Sequence, residues 1–336
     1  MKPTLFFLLP GFTGILDSDW KPLLENYSSN SSLDKMISRS SKTVTPYDSA
    51  QPFAPFQATL TELFSISDQV PWAWYGIRGI GFRSKTTDWF KLNLLNRHNR
   101  INFNPKIVHE IAGAFAAEFS FAEDSIITKE GDWYLSLGDY ADVSSTVPWL
   151  IQDRNLRTIG LSGSDAPLWQ LRFKEAHNWL QNLPLNQRQK EPIQYIWPWG
   201  NRGTIPLVKD YHYTAIFAQN PIYRGLAEHL GLAYFDLDVG LADIDQMIEN
   251  HKQICIIDDT LLYELSYERF SLWEAARERL IAKYLEPVMR AVENKTVGRL
   301  IIDDGLGCRY QYERGFNFRF SLRRPKVSYH FNDHAK

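Results

Sequence analysis

The sequence contains few cysteines, no long apolar run and almost no excess of one charge. Cys255 and Cys308 are the two cysteines among 336 residues, which argues against a disulfide framework and is typical of a reducing compartment such as the cytoplasm. Lys and Arg total 37 and Asp and Glu total 39, so the net charge of −2 creates no field that would gather nucleic acid or anionic lipid. No apolar stretch reaches the ~18 residues of a membrane span. We therefore expect a cytoplasmic protein whose partners are neither nucleic acid nor a membrane.

The N-terminus combines a positive charge with an apolar run, as a secretory signal does. Lys2 precedes the apolar residues 5–9, but the run breaks at Pro10 and Gly11, and no small-x-small cleavage site follows. A short apolar run that ends at turn residues is typical of a buried strand. The sequence therefore predicts a first strand over residues 4–9.

The composition is that of a globular protein. Hydrophobic residues make up 44% of the chain and aromatic residues 14%, enough for a large core. In the second half of the chain, short apolar runs alternate with helical patterns, which predicts parallel strands joined by crossover helices. The predicted strands are 195–199, 215–217, 233–237, 254–257 and 299–302, and the predicted helices are 221–230, 244–250 and 271–293.

Residues 71–164 have a different texture. Aromatic, alternating segments at 72–77, 89–95 and 132–137 accompany one helical pattern at 105–119, which predicts an inserted α+β subdomain. We predict an α/β core formed by residues 1–70 and 165–326, with the insertion at 71–164 and a tail at 327–336.

Two local patterns flank the later part of the core. A helix is predicted to begin near Asp165, with Ser164 or Asp165 as its cap and Pro167 in the first turn, and to end by Pro184. Residues 308–322 predict an antiparallel hairpin around Arg314 and Gly315.

Three segments carry a family resemblance. They are the opening strand with its glycine turn and the stretch 21–36, the segments 183–188 and 193–203, and the helix 223–231. In order and spacing they resemble the cofactor-independent phosphoglycerate mutases of the archaeal type, a branch of the alkaline-phosphatase superfamily. Leu9-Pro10-Gly11 and Trp197-Pro198-Trp199-Gly200 are also similar to the bacterial RpfE-type regulatory proteins. The resemblance implies an alkaline-phosphatase-like α/β fold with a mostly parallel sheet flanked by helices.

The resemblance also implies a pair of divalent metals held by Asp and His at strand ends, because phosphoryl transfer develops charge on two oxygens. The family has an Asp immediately before the first glycine, where this chain has Pro10. The family also has two His residues near the last strands of the sheet, whereas this chain has no His between Asp259 and His330. The candidate nucleophiles are Ser49, Thr59 and Thr61, which turns and helix caps explain as well. We therefore predict no catalytic residue, no bound metal and no cofactor.

Two acidic pairs still stand at predicted strand ends. Asp258-Asp259 and Asp303-Asp304 follow apolar runs, and open α/β sheets gather ligands at the carboxyl ends of their strands. Four carboxylates could bind Mg²⁺ or Mn²⁺. Alternatively, each Asp caps the next helix or shapes a turn.

A glycine-rich turn is the second candidate site. Gly200-Asn201-Arg202-Gly203 follows a predicted strand and could offer backbone N–H groups and a guanidinium to a phosphate or carboxylate, although a plain turn explains it too. Trp199 beside it would be a ligand or protein anchor if exposed and a core residue if not. His177, with no second metal-binding residue at ligand spacing, is interpreted as packed or half-exposed.

The leading hypothesis is a phosphomutase-like protein without catalysis that binds a protein partner or a small anionic ligand in a regulatory role. The alternative is a divergent, metal-dependent phosphoglycerate mutase or phosphatase that uses the two acidic pairs. Binding of nucleic acid through the arginine-rich residues 314–326 is a third interpretation, which the near-neutral charge disfavours.

Overall fold

The structure, a computed structural model, describes most of the chain in separate stretches. The described residues are 2–13, 36–37, 39–44, 59–60, 62–64, 71–82, 88–95, 104–121, 126–129, 132–137, 141–146, 160–201, 213–237, 244–266 and 270–313. Several predicted features lie outside them: Ser49, Thr61, Arg202, Gly203, the Arg314–Gly315 turn and the tail 327–336.

The described residues form two sheets and a set of helices. The strands are β1 (Thr4–Leu8), β2 (Ser41–Val44), β3 (Trp89–Leu95), β4 (Ile126–Lys129), β5 (Asp132–Ser136), β6 (Tyr195–Trp199), β7 (Ala215–Ala218), β8 (Ala233–Asp236), β9 (Gln253–Ile257), β10 (Arg299–Asp303) and β11 (Cys308–Glu313). The helices are α1 (Trp72–Gly79), α2 (Pro105–Glu118), α3 (Ala166–Asn182), α4 (Pro184–Gln187), α5 (Pro221–Leu230), α6 (Ile244–Asn250), α7 (Thr260–Ser266), α8 (Phe270–Leu280) and α9 (Glu286–Glu293).

The larger sheet has seven strands in the order β2-β11-β10-β1-β9-β7-β8. The pairs β10-β1, β1-β9, β9-β7 and β7-β8 are parallel, whereas β11 runs antiparallel to both β10 and β2. Leu5, Phe6, Phe7 and Leu8 on β1 are at most 2% exposed, as expected of a central parallel strand that is covered on both faces. The predicted α/β class, with a mostly parallel sheet flanked by helices and a separate insertion, is confirmed.

The smaller sheet is antiparallel, with the order β4-β5-β3-β6. Side chains on β3 alternate between two covered faces, because successive residues of a strand point in opposite directions. Phe90, Leu92 and Leu94 join a core with residues of α2 and α3, and Trp89 packs with Ala73 of α1. This sheet is therefore covered on both faces.

The compact units differ from the predicted division in where the insertion ends. One unit comprises residues 1–66, 208–219 and 229–336, and the other comprises 67–207 and 220–228. Helix α3 and strand β6 belong to the second unit, although residues after 164 were assigned to the core. A short apolar run such as 195–199 does not reveal which sheet it joins, because its partners are distant in sequence.

Two further local predictions need correction. The aromatic residues 72–77 form helix α1 rather than a strand-like segment, since aromatic side chains suit either structure when they are buried. Asp165 occupies the cap position of α3, but its side chain makes no cap hydrogen bond and instead accepts the N–H of Asp142. Pro167 does lie in the first turn, as predicted.

The predicted helix 271–293 is divided by a π-helical turn at Ile281–Leu285. Pro287 lies just after this turn, in the first turn of α9. Proline lacks an N–H and its ring would clash with the carbonyl four residues earlier, so the wider turn relieves both problems. Among the described residues, no helix is long and apolar enough to cross a membrane.

Helices α1 and α5 cross at two glycines within the second unit. A Cβ added at Gly79 would lie 1.8 Å from the oxygen of Pro221, and one added at Gly225 would lie 1.8 Å from the oxygen of Tyr75. Backbone meets backbone at both points, so no flexible side chain can move aside.

Replacement of Gly79 by alanine should therefore lower the free energy of unfolding by more than about 2 kcal/mol. Gly113 on α2 is the matched control, because nothing lies within 4 Å of its added Cβ. Gly113→Ala should stabilise the protein by ~0.5–1 kcal/mol, the usual helix-interior gain. Urea unfolding of both variants measures the difference, and similar values for the two would contradict the close helix crossing.

Candidate functional site

The carboxyl edge of the large sheet brings both acidic pairs beside the end of β1. Strands β10 and β9 flank β1, so Asp303-Asp304 and Asp258-Asp259 follow neighbouring parallel strands. The Leu9 N–H donates to the backbone oxygen of Asp303 at 2.8 Å, and the Asp258 N–H donates to the backbone oxygen of Leu8 at 3.1 Å. The predicted positions of these residues at strand ends are therefore correct.

Asp304 is completely buried and has a hydrogen bond at each carboxylate oxygen. Its Oδ1 accepts the N–H groups of Leu306 at 2.8 Å and Cys308 at 2.7 Å. Its Oδ2 accepts the hydroxyl of Thr13 at 2.6 Å. The side chain thus holds the turn between β10 and β11 and fastens it to the segment that follows β1.

Asp303 is 4% exposed and is engaged in the same way. Its Oδ1 accepts the Gly305 N–H at 2.9 Å, and its Oδ2 accepts Thr59 Oγ1 at 3.2 Å and Arg309 Nε at 2.8 Å. Arg309 also donates from both terminal nitrogens to Glu62, at 2.9 and 2.8 Å. Thr59, one of the hydroxyls considered as a nucleophile, is therefore a donor to a carboxylate.

The pKa values of both aspartates are raised. Burial raises the pKa of Asp304 to about 6, against the hydrogen bond from Thr13, and the charge of Asp303 adds to the increase. Burial also raises the pKa of Asp303, while the Arg309 guanidinium opposes that change. The two carboxyls are thus less acidic than exposed ones despite their donors.

The donor set does not fit a preformed divalent metal site. Every carboxylate oxygen of Asp303 and Asp304 accepts a hydrogen bond, and a guanidinium contacts Asp303. Asp258 Oδ1 accepts the N–H of Thr260 at 3.0 Å, an Asx-turn that leads into α7. Across the described stretches, no three His, Cys, Asp or Glu side chains are grouped as metal ligands. The four aspartates therefore do not assemble into the site that the alternative hypothesis requires.

The segment after β1 is held by helix α8 through residues that the sequence patterns did not identify. Trp273 Nε1 donates to the Gly11 oxygen at 2.8 Å, and Arg277 Nε donates to the Phe12 oxygen at 3.0 Å. The guanidinium of Arg277 also lies 4.7 Å from the centre of the Phe12 ring. A charged residue at a core-facing helical position was the signal available in the sequence.

The glycine-rich turn is described in the second unit as far as Asn201. Gly200 has a φ of +78°, which glycine adopts readily, and its oxygen accepts the Ala73 N–H at 2.9 Å. Asn201 is buried and donates from Nδ2 to the Val143 oxygen. Trp199 is 5% exposed and its indole donates to Asn93 at 2.7 Å, which corresponds to the core alternative of the two that the sequence left open.

Asn186, in the segment 183–188 that carries part of the family resemblance, has a structural role. Its amide nitrogen donates to the oxygens of Leu180 at 2.9 Å and Ile193 at 2.8 Å. Its amide oxygen accepts the Ile193 N–H at 2.9 Å and the Gln189 side chain at 3.1 Å. This one side chain therefore joins the end of α3 to the residues that precede β6.

Comparisons with known proteins find similarity in structure but not in sequence. No protein-family profile and no curated protein matches the sequence. The PH0037 protein from Pyrococcus horikoshii superimposes with a TM-score of 0.56 at 14% identity, covering 97% of this chain and 91% of that one. A cofactor-independent phosphoglycerate mutase from Thermoplasma acidophilum gives a TM-score of 0.43 at 14% identity, covering 100% of both chains. The first likeness shows a shared fold and nothing about activity.

The raised pKa of Asp304 predicts a pH dependence of stability. Between the unfolded value of about 4 and the folded value near 6, the folded state holds the extra proton, so the free energy of unfolding falls as pH rises through this window. Asp304→Asn removes this titration, so the decrease in the free energy of unfolding across this window should be smaller by on the order of 2 kcal/mol. Urea unfolding at a series of pH values measures it.

Thr13 offers a matched pair of controls. Thr13→Val removes a donor that holds the Asp304 pKa down, so the fall should extend to higher pH, whereas Thr13→Ser should keep the wild-type profile. Parallel pH profiles for the wild type and Asp304→Asn would contradict the raised pKa.

Proposed function

We propose that this chain is a binding protein on a phosphomutase-like fold, which acts in a regulatory role without metal-dependent catalysis. One observation carries the proposal: the carboxylate oxygens of Asp303 and Asp304 accept hydrogen bonds from Thr13, Thr59, Arg309 and backbone N–H groups. Each carboxylate has about four acceptor positions. Three donors occupy those of Asp303 and three occupy those of Asp304, so little of either carboxylate is left for a metal. The resemblance to RpfE-type proteins supports the regulatory role.

Charge opposes a metal at the same place. Arg309 lies 2.8 Å from Asp303 and is held there by Glu62, so a divalent cation at Asp303 would meet a fixed positive charge. Pro10, where the family has an Asp ligand, offers no side-chain donor. Two-metal phosphoryl transfer requires metal ions at both the attacking and the leaving oxygen. The carboxylates at this edge that would hold those ions already accept hydrogen bonds from the protein.

The proposed ligand is a small anion or a protein partner. The Gly200-Asn201-Arg202-Gly203 turn remains the proposed anion-binding element on the sequence pattern, with its guanidinium and backbone N–H groups as the donors. In the described part of this turn, Asn201 Oδ1 is buried without a hydrogen bond. A buried acceptor of this kind suits a hydroxyl or amide donor of the ligand and not its anionic group.

A divergent phosphoglycerate mutase or phosphatase is the second candidate. The observation in its favour is that Asp258-Asp259 and Asp303-Asp304 lie at the carboxyl edge on either side of β1, where α/β enzymes bind ligands. It requires the Arg309 guanidinium to move from Asp303 so that Mg²⁺ or Mn²⁺ can approach this carboxylate.

The two candidates differ in their response to metal. The binding protein should show the same melting temperature with and without millimolar Mg²⁺ or Mn²⁺, because no site is formed for them to stabilise. It should turn over neither phosphoglycerate nor an aryl phosphate. Metal analysis of the purified protein, thermal melts and a phosphomutase assay test this directly.

The opposite result is equally specific. Metal-dependent turnover that is lost in both Asp304→Asn and Asp258→Asn would overturn the proposal. The second variant matters because Asp258 accepts the Thr260 N–H within a turn and is half-buried, so its substitution should leave the fold intact. Circular dichroism confirms folding of each variant.

A further inference from the structure

A cleft runs between helix α3 and strand β6 in the second unit. It has a volume of about 850 Å³, within the range of small-molecule sites, which is roughly 300–1,000 Å³. Residues of α3 form one wall, and the edge strand β6 forms the other. We call it the α3–β6 cleft.

Aromatic and apolar groups form much of its lining. His177 and Tyr195 stack with ring centres 4.2 Å apart and planes within 2°, so the pair connects the two walls and leaves one face of each ring uncovered by the other. Trp197 lines the cleft and its indole donates to the Thr146 oxygen at 2.8 Å. Leu171 is 53% exposed on the α3 wall. Such surfaces bind the flat apolar part of a ligand.

The stacked pair is held in place by hydrogen bonds. His177 Nδ1 lies against the Gln194 oxygen, so this nitrogen carries the hydrogen, and Nε2 accepts the Gln181 amide at 3.0 Å. Both ring nitrogens are therefore used. His177 fixes the orientation of Tyr195 instead of offering a catalytic nitrogen, which agrees with its interpretation as a packed residue.

The charge of the lining has one sign. Lys174 lines the cleft, and no Asp or Glu of the described residues does. The Lys174 ammonium makes no ion pair with any residue that the structure describes, whereas the neighbouring Arg172 lies over the rings of Trp169 and Phe121. The exposed amide of Asn178 adds a polar group next to it. An exposed cation beside an apolar surface favours an anion that carries an apolar body.

We infer that the α3–β6 cleft binds a small organic anion with a flat, apolar ring system. The anionic group lies at Lys174 and Asn178, and the ring lies against Tyr195 and Leu171. This deepens the proposed binding function and rests on it, because it names the ligand class and gives that ligand a site in the second unit whose lining does not include Gly200 or Asn201.

Naphthoate is a suitable probe, with naphthalenemethanol as the neutral compound of the same ring size. In isothermal titration calorimetry on the full chain, naphthoate should bind saturably and more tightly than naphthalenemethanol. Lys174→Gln should weaken naphthoate binding about fivefold, the size expected for a partly exposed charge contact, and should leave naphthalenemethanol unchanged. Leu171→Asp should weaken both, because it places a charge on the apolar wall.

Lys106→Gln is the matched control, since Lys106 is an exposed lysine on α2 that does not line the cleft. The inference is wrong if naphthoate does not bind the wild type, if Lys174→Gln binds it unchanged, or if Lys106→Gln weakens it equally. These outcomes are distinct from the metal test: lack of naphthoate binding would reject this cleft alone, whereas metal-dependent turnover would reject the proposed function.

Discussion

The buried carboxylate of Asp304 is the contact on which the carboxyl edge of the large sheet depends. Burial of a carboxylate without hydrogen-bond partners would cost much free energy. Here three groups donate hydrogen bonds to the carboxylate at 2.6 to 2.8 Å. The two backbone donors close the turn that lets β11 return antiparallel to β10. The third, Thr13, ties the segment after β1 to the same turn. One side chain therefore connects the first strand to the last hairpin.

The same carboxylates explain why acidic residues at strand ends are ambiguous in a sequence. An Asp can bind a divalent cation or accept N–H and O–H donors, and its neighbours decide which. At Asp303 the neighbour is Arg309, which is itself held by Glu62. At Asp258 it is the backbone of Thr260, in a turn before a helix. Within the described stretches, neither aspartate belongs to a group of three His, Cys, Asp or Glu side chains that could hold a metal.

Polar residues of the second unit divide in a similar way between structure and binding. The amide of Asn186 makes four hydrogen bonds inside the protein, so its place in the segment that resembles phosphomutases follows from folding. Trp199 and its indole hydrogen bond are also buried. Lys174 is exposed on the wall of a cleft, and its charge is available to a ligand.

Local patterns were enough to predict the apolar run of β1, the strands from β7 to β10, helices α5 and α6, and both acidic pairs at strand ends. They did not predict helix α7 or the π-helical turn after α8. Long-range packing settled that β6 joins the antiparallel sheet, that residues 72–79 are helical, and what the acidic pairs contact, because the partners are far apart along the chain. Thr13 lies 291 positions from Asp304, and Glu62 lies 247 positions from Arg309. A pattern of neighbouring residues carries no information about partners that only folding brings together.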